Sequence, residues 1–143
     1  MKTKRNLIIT SLGTLVMAAV FAASGGGQTS FSVDIKSKEG IGSYLADSKG
    51  MTLYTFKKDS QKTSTCVGEC SAMWPAFYSQ NITVPSGLQA SDFGTITRKD
   101  KKKQTTYKEM PLYYFSDDRK PGDAKGKGVH NLWFPATPSE SSW

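Results

Sequence analysis

The chain has 143 residues, 37% of them hydrophobic, and a formal net charge of +7, which allows one domain. A single histidine and two cysteines are too few ligands for a zinc tetrad or a His-rich catalytic metal triad. There is no G-x-S-x-G nucleophile motif either, so no recognisable nucleophile–base set is present.

Lys2, Lys4 and Arg5 form a basic n-region. Leu7 through Ala23 is an apolar stretch of about 17 residues, at the short edge for a membrane span. Ala18, Ala19, Ala22, Ala23 and Ser24 supply small cleavage positions. This layout predicts a secretory signal peptide over 1–23, with an uncleaved membrane anchor as the alternative. Phe21-Ala22-Ala23-Ser24-Gly25 has the form of a lipobox in which Ser24 stands where a lipid-bearing Cys would be. A hydroxyl cannot form the thioether that carries the lipid. The chain is therefore expected to be secreted or periplasmic, with no transmembrane domain after cleavage. It would be membrane-anchored only if Ser24 replaces a lipidated Cys or the signal stays uncleaved. Losing Lys2, Lys4 and Arg5 leaves 16 basic against 12 acidic residues, a net charge of +4. The basic residues gather in Arg98-Lys99-Asp100-Lys101-Lys102-Lys103, which reads as a solvated hairpin tip. One basic loop on an exported protein does not make a nucleic-acid surface, and no nucleic-acid partner is expected. Attraction to an anionic envelope polymer fits the same charge.

Residues 24–40 read as a flexible spacer followed by a first strand, Phe31 to Lys36, which alternates apolar and polar with period two. Ser43 to Asp47, the loop Ser48-Lys49-Gly50 and then Met51 to Phe56 carry a hairpin signature. Gly50 can take the positive φ that such a turn demands. On the second strand Tyr54 and Phe56 share one face and Leu53 and Thr55 the other. Asp59 follows, placed to accept backbone N–H groups in the ensuing turn. Cys66 and Cys70, the only cysteines, are most simply a disulfide in an oxidising compartment, with a reversible redox pair as the alternative. Glu69 to Met73 is about one helical turn, stopped before Pro75.

Asp92 to Arg98 and Gln104 to Tyr107 resume strand patterning, and Lys108-Glu109 connects tightly into Pro111 to Phe115. The loop carboxylates Asp117, Asp118 and Asp123 lack the ligand series of an EF-hand and read as solvated turn groups. Residues 138–143 are expected to fray.

Met51-x-Leu53-Tyr54-x-Phe56-x-x-Asp59 returns 59 positions later as Met110-x-Leu112-Tyr113-x-Phe115-x-x-Asp118, and Trp74 returns at the same offset as Trp133. One supersecondary unit is used twice, each copy too small to bury its apolar face alone. The predicted fold is mainly β: two pseudo-repeated β-hairpin units packed as one small domain over 41–137, with one short helical turn after the Cys loop. Tyr54, Phe56, Asp59, Trp74, Tyr113, Phe115, Asp118 and Trp133 are its expected structural residues.

Both copies match Y-x-[FWY]-x-x-D. With the Cys66-x-Gly68-x-Cys70 loop, Trp74-Pro75, Pro121-Gly122-Asp123 and Trp133, residues 41 to 136 resemble a bacterial family of secreted repeats, predicted lipoproteins of unknown function with a Yx(FWY)xxD motif. The resemblance implies an exported two-repeat β domain at the cell envelope. It carries over no catalytic residues.

Three functions follow as expectations. The preferred one is a non-enzymatic binding or structural domain whose partner is an envelope protein or polymer. The alternative is a redox or metal accessory protein holding copper or haem through Met51, Met110 and His130, since thioether and imidazole donors suit both. The third is a hydrolase pairing Asp59 with Asp118, which needs both carboxylates in one open cleft.

Overall fold

The computed structural model describes residues 30–138. The expected signal peptide, most of the spacer and the tail from 139 onward lie outside the described residues. Besides 3-10 turns at Ala90–Asp92 and Val129–Asn131, seven short strands and one α-helical turn follow in chain order. They are β1 (Val33–Lys38), β2 (Gly42–Asp47), β3 (Tyr54–Phe56), α1 (Glu69–Met73), β4 (Phe93–Thr97), β5 (Lys103–Tyr107), β6 (Met110–Pro111) and β7 (Trp133–Pro135). The domain is mainly β, as its patterning predicts. Its strands form three small antiparallel sheets, β1-β2, β3-β7 and β4-β5-β6, and among the described residues no barrel closes.

The first strand is part of the packed domain. It pairs with β2 from Val33↔Asp47 to Lys38↔Gly42, and Val33 is wholly buried. The hairpin expected from Ser43 to Phe56 forms only at its closed end, where Ala46 bridges Thr52 and the Leu53 N–H donates to the Leu45 carbonyl. From Tyr54 the chain leaves β2, and β3 pairs instead with β7, placing Phe56 opposite Trp133. The second hairpin does form, with Tyr107 opposite Met110. Its turn residues Lys108 and Glu109 both hold positive φ, 45° and 69°, the twist that a two-residue hairpin loop requires.

The two copies exchange their closing strands. β3 of the first copy pairs with β7 of the second. In return Tyr113 of the second bridges Ala76 of the first, and the Tyr114 N–H donates to the Pro75 carbonyl at 2.7 Å. Tyr54 and Tyr113 bridge each other directly, each N–H donating to the other's carbonyl at 2.8 and 2.9 Å. A pseudo-twofold axis runs between them. The same offset relates other bonds: Lys57 N–H to the Leu132 carbonyl matches Ser116 N–H to the Met73 carbonyl, and Ala136 N–H to Leu53 matches Phe77 N–H to Leu112.

Strand alternation then divides the interior in two. Leu53 and Leu112 enter one core with Val33, Leu45, Phe77, Leu88, Tyr107 and Ala136. Their chain neighbours Tyr54 and Tyr113 enter the other, with Phe56, Cys66, Trp74, Phe115 and Trp133.

Candidate functional site

The second core holds the Tyr and Phe of both Yx(FWY)xxD copies together with Trp74 and Trp133. Its centre is a column of four rings, Phe56–Trp133–Trp74–Phe115. Phe56 stacks on Trp133 at 4.1 Å, the two indoles at 3.8 Å and Trp74 on Phe115 at 4.2 Å between ring centroids. Tyr54 meets Trp74 edge-on at 5.4 Å, and Tyr113 meets Trp133 edge-on at 5.1 Å. Offset-stacked and edge-to-face pairs are the favoured arrangements of aromatic quadrupoles.

The hydroxyls cross between copies. Tyr54 donates to Asp118 Oδ2 at 2.7 Å, and Tyr113 donates to Asp59 Oδ2 at 2.6 Å. Each carboxylate spends its other oxygen on its own loop. Asp118 Oδ1 accepts the Lys125 N–H, and Asp59 Oδ1 accepts the N–H and hydroxyl of Thr65. Each phenol oxygen accepts one bond in turn, Tyr54 from the Gly126 N–H at 3.1 Å. Ser64 Oγ lies 2.6 Å from the Tyr113 oxygen and donates to it, because the Tyr113 proton is committed to Asp59. Burial first, and the adjacent carboxylate second, push both phenols well above the usual tyrosine range. Burial likewise pushes the Asp59 carboxyl up, against the opposing pull of the Tyr113 and Thr65 hydrogen bonds and the Arg98 charge.

Three expectations are corrected here. Asp118 and Asp123 are buried, not solvated; Asp123 Oδ2 accepts the N–H groups of Arg119 and Lys120, whereas Asp117 is exposed. A turn carboxylate that closes its own loop is drawn out of water by those bonds. Asp59 and Asp118 are not free carboxylates of an open cleft, since each is buried and engaged by the tyrosine of the other copy. Arg98 is not part of a solvated tip. Its guanidinium is buried, reaches the Cys66 carbonyl and pairs bidentately with Asp100, while Lys99 to Lys103 are exposed.

Cys66 and Cys70 form a disulfide, with Cys66 wholly buried against the aromatic column. Asp47, Tyr114 and Gly126 have roles that the sequence did not assign to them. Tyr114 donates to Asp47 Oδ2 at 2.7 Å, a third Tyr–Asp pair, and Asp47 Oδ1 accepts the N–H groups of Lys49 and Met51. Gly126 lies so close to Tyr54 and Trp74 that a Cβ there would meet both rings at 2.8 Å.

A surface cleft of about 440 Å³ opens beside the column. Phe56, Met110 and Phe134 are the large apolar residues of its lining, Lys57 and Lys108 also line it, the Lys108 Nζ lying 5.5 Å from the centre of the Tyr107 ring, and Asp59 is the one carboxylate in the lining. Of the proposed metal donors, only Met110 lines it. Met51 is half-buried beside the Asp47 turn, and His130 is exposed in a turn at positive φ. Among the described residues no three His, Cys, Asp or Glu side chains converge to hold a metal ion.

The family of secreted repeats of unknown function matches the chain twice, over residues 37–77 and 94–137. The chain belongs to this family. Its two matches coincide with the two structural copies, and the Yx(FWY)xxD residues of each are those that cross to the other. No curated protein and no solved structure matches the chain. Among the described residues no helix is long and apolar enough to cross a membrane. In this secreted repeat the motif therefore describes an inter-copy lock, and the cleft is an accessible concave surface next to it.

Proposed function

We propose that this secreted repeat is a non-enzymatic binding or structural domain of the cell envelope, exported by its N-terminal signal. The supporting observation is the reciprocal Tyr–Asp exchange. Each motif hydroxyl and carboxylate is buried and hydrogen-bonded to the opposite copy or to its own loop, which leaves none of them free to attack or protonate a substrate. A motif used in this way serves cohesion, and recognition falls to the side chains around it.

The test is a visible absorption spectrum with elemental analysis on mature protein purified from an oxidising compartment under copper- and haem-replete conditions, followed by co-sedimentation with isolated envelope polymer. A colourless, metal-free protein that sediments with the polymer is the expected result. Stoichiometric copper or a haem band would overturn this reading in favour of the redox alternative through Met51, Met110 and His130.

A further inference from the structure

The cleft sits where the pseudo-symmetry leaves a ring out. Tyr114 of the second copy reaches the hairpin turn of the first copy and hydrogen-bonds Asp47 there. Its counterpart 59 positions earlier is Thr55, which lines the cleft together with Lys108 and Met110 of the second copy's turn. A threonine is far too small to cross that space, so the cleft's apolar lining stays open to solvent.

Lys57 and Phe134 of the cleft also depart from the repeat, whereas Phe56, Asp59, Lys108 and Met110 recur as Phe115, Asp118, Lys49 and Met51. Ser116 stands where Lys57 would recur, and Pro75 stands where Phe134 would. The fold builds the equivalent region of the other copy without a lysine and a phenylalanine at these positions, so cohesion alone does not call for them. Lys57 Nζ lies 4.7 Å from the centre of the Phe134 ring. Among the described residues neither Lys57 nor Lys108 has a carboxylate partner within salt-bridge distance. Asp59, the carboxylate in the lining, forms an ion pair with neither lysine and turns its oxygens to Tyr113 and Thr65. A concave apolar surface of this volume with a few convergent polar groups is the usual form of a small-ligand site.

We infer that this cleft binds a small amphipathic carboxylate, its ring or chain taking the place left by Thr55 and its anion held between Lys57 and Lys108. The inference rests on the binding-domain reading and names its ligand class. An aliphatic and an aromatic acid share this chemistry, and the two probes separate them.

The experiment titrates mature protein with decanoate and with 3-phenylpropionate, read by tryptophan fluorescence. Trp133 stacks on Phe56, and Phe56 lines the cleft. Saturable binding of either acid is expected, with 1-decanol bound at least about tenfold more weakly than decanoate, the loss of two partly exposed charge contacts. The double variant Lys57→Glu/Lys108→Glu should weaken binding by a similar factor, and Thr55→Tyr should abolish it by filling the space. Lys58→Glu, beside the cleft but not in its lining, should leave binding unchanged. The two cleft variants alter different chemistry, so loss of fold in one leaves the other decisive, with circular dichroism reporting the fold. Binding of neither acid, equal binding of decanol, or full binding by Lys57→Glu/Lys108→Glu would overturn the assignment and leave the non-enzymatic reading standing. Mass spectrometry of the recovered acid covers the opposite case. Conversion of a bound acid would overturn the non-enzymatic reading and leave the cleft assignment intact.

Discussion

Trp74 and Trp133 stack with ring centroids 3.8 Å apart and planes 1° from parallel, although 58 residues separate them in the chain. They are the same position of two copies, brought face to face by the pseudo-twofold axis. Each is flanked on its outer face by the motif Phe of the other copy. Removing one indole therefore opens the middle of the column. Trp133→Ala is expected to cost about 3–5 kcal/mol, as for other buried aromatic truncations. Urea unfolding followed by far-UV circular dichroism checks it, and a loss below about 1 kcal/mol would mean the column is not a core.

The crossed Tyr–Asp bonds predict coupling. Tyr54→Phe strands the Asp118 carboxylate and the Gly126 N–H in the interior and should cost about 1–3 kcal/mol. Asp118→Asn alone should also destabilise. The double variant should be less damaged than the sum of the two, by about 0.5–3 kcal/mol, because one bond is lost only once. A double-mutant cycle in urea measures this, and strict additivity would deny that the bond contributes.

Alkaline pH should unfold the domain. Tyr54, Tyr113 and Tyr114 have phenols raised well above their usual value, first by burial and then by the carboxylate each one meets. In the unfolded chain these groups release their protons near pH 10, while in the folded chain they keep them. Their stabilisation is therefore complete below pH 10 and is lost as pH rises from there toward the folded values. Three such groups give a slope of up to about 4 kcal/mol per pH unit. Stability measured in urea between pH 8 and 11.5 tests this, and Tyr114→Phe should reduce the slope by about one proton's worth.

Gly126 is needed for space. A methyl there would meet Tyr54 and Trp74, two rings that are themselves buried in the aromatic core. Gly126→Ala is expected to lose about 1–3 kcal/mol through overpacking and to change the near-UV circular dichroism, since both chromophores must shift. An unchanged spectrum and melting temperature would show that the loop yields instead.

The disulfide closes a very short loop, so its effect should be small. Cys66→Ala/Cys70→Ala is expected to cost about 2 kcal/mol on chain-entropy grounds, and more if the cavity left by the buried Cys66 does not collapse. Thermal unfolding with and without reductant gives the comparison.

Several of these features were legible in the residues. Period-two runs announced β4 and β5, Gly and Pro announced turns, and the spacing of Cys66 and Cys70 announced their bond. Asp118 and Asp123 were misread because a carboxylate in a polar, turn-rich loop looks solvated until the loop's own N–H groups close on it. Arg98 was misread for the same reason, since its neighbours are lysines and its partner carbonyl belongs to Cys66, 32 residues away. Gly126 carried no local mark, because the rings that demand it come from two other segments.

What the sequence by itself determined is the inventory: two copies of one motif, their strand faces, their turns and the membership in a family of secreted repeats. Periodicity and identity at a fixed offset are local properties, and they survive without coordinates. Only the tertiary structure decided which copy each group serves. Tyr54 bonds Asp118, 64 residues away, and not Asp59 five residues on. The ring points across the axis into the shared core, while each Asp turns back over its own loop. That choice comes from exchanging the closing strands, which buries both apolar faces at once, and no window of sequence contains both partners.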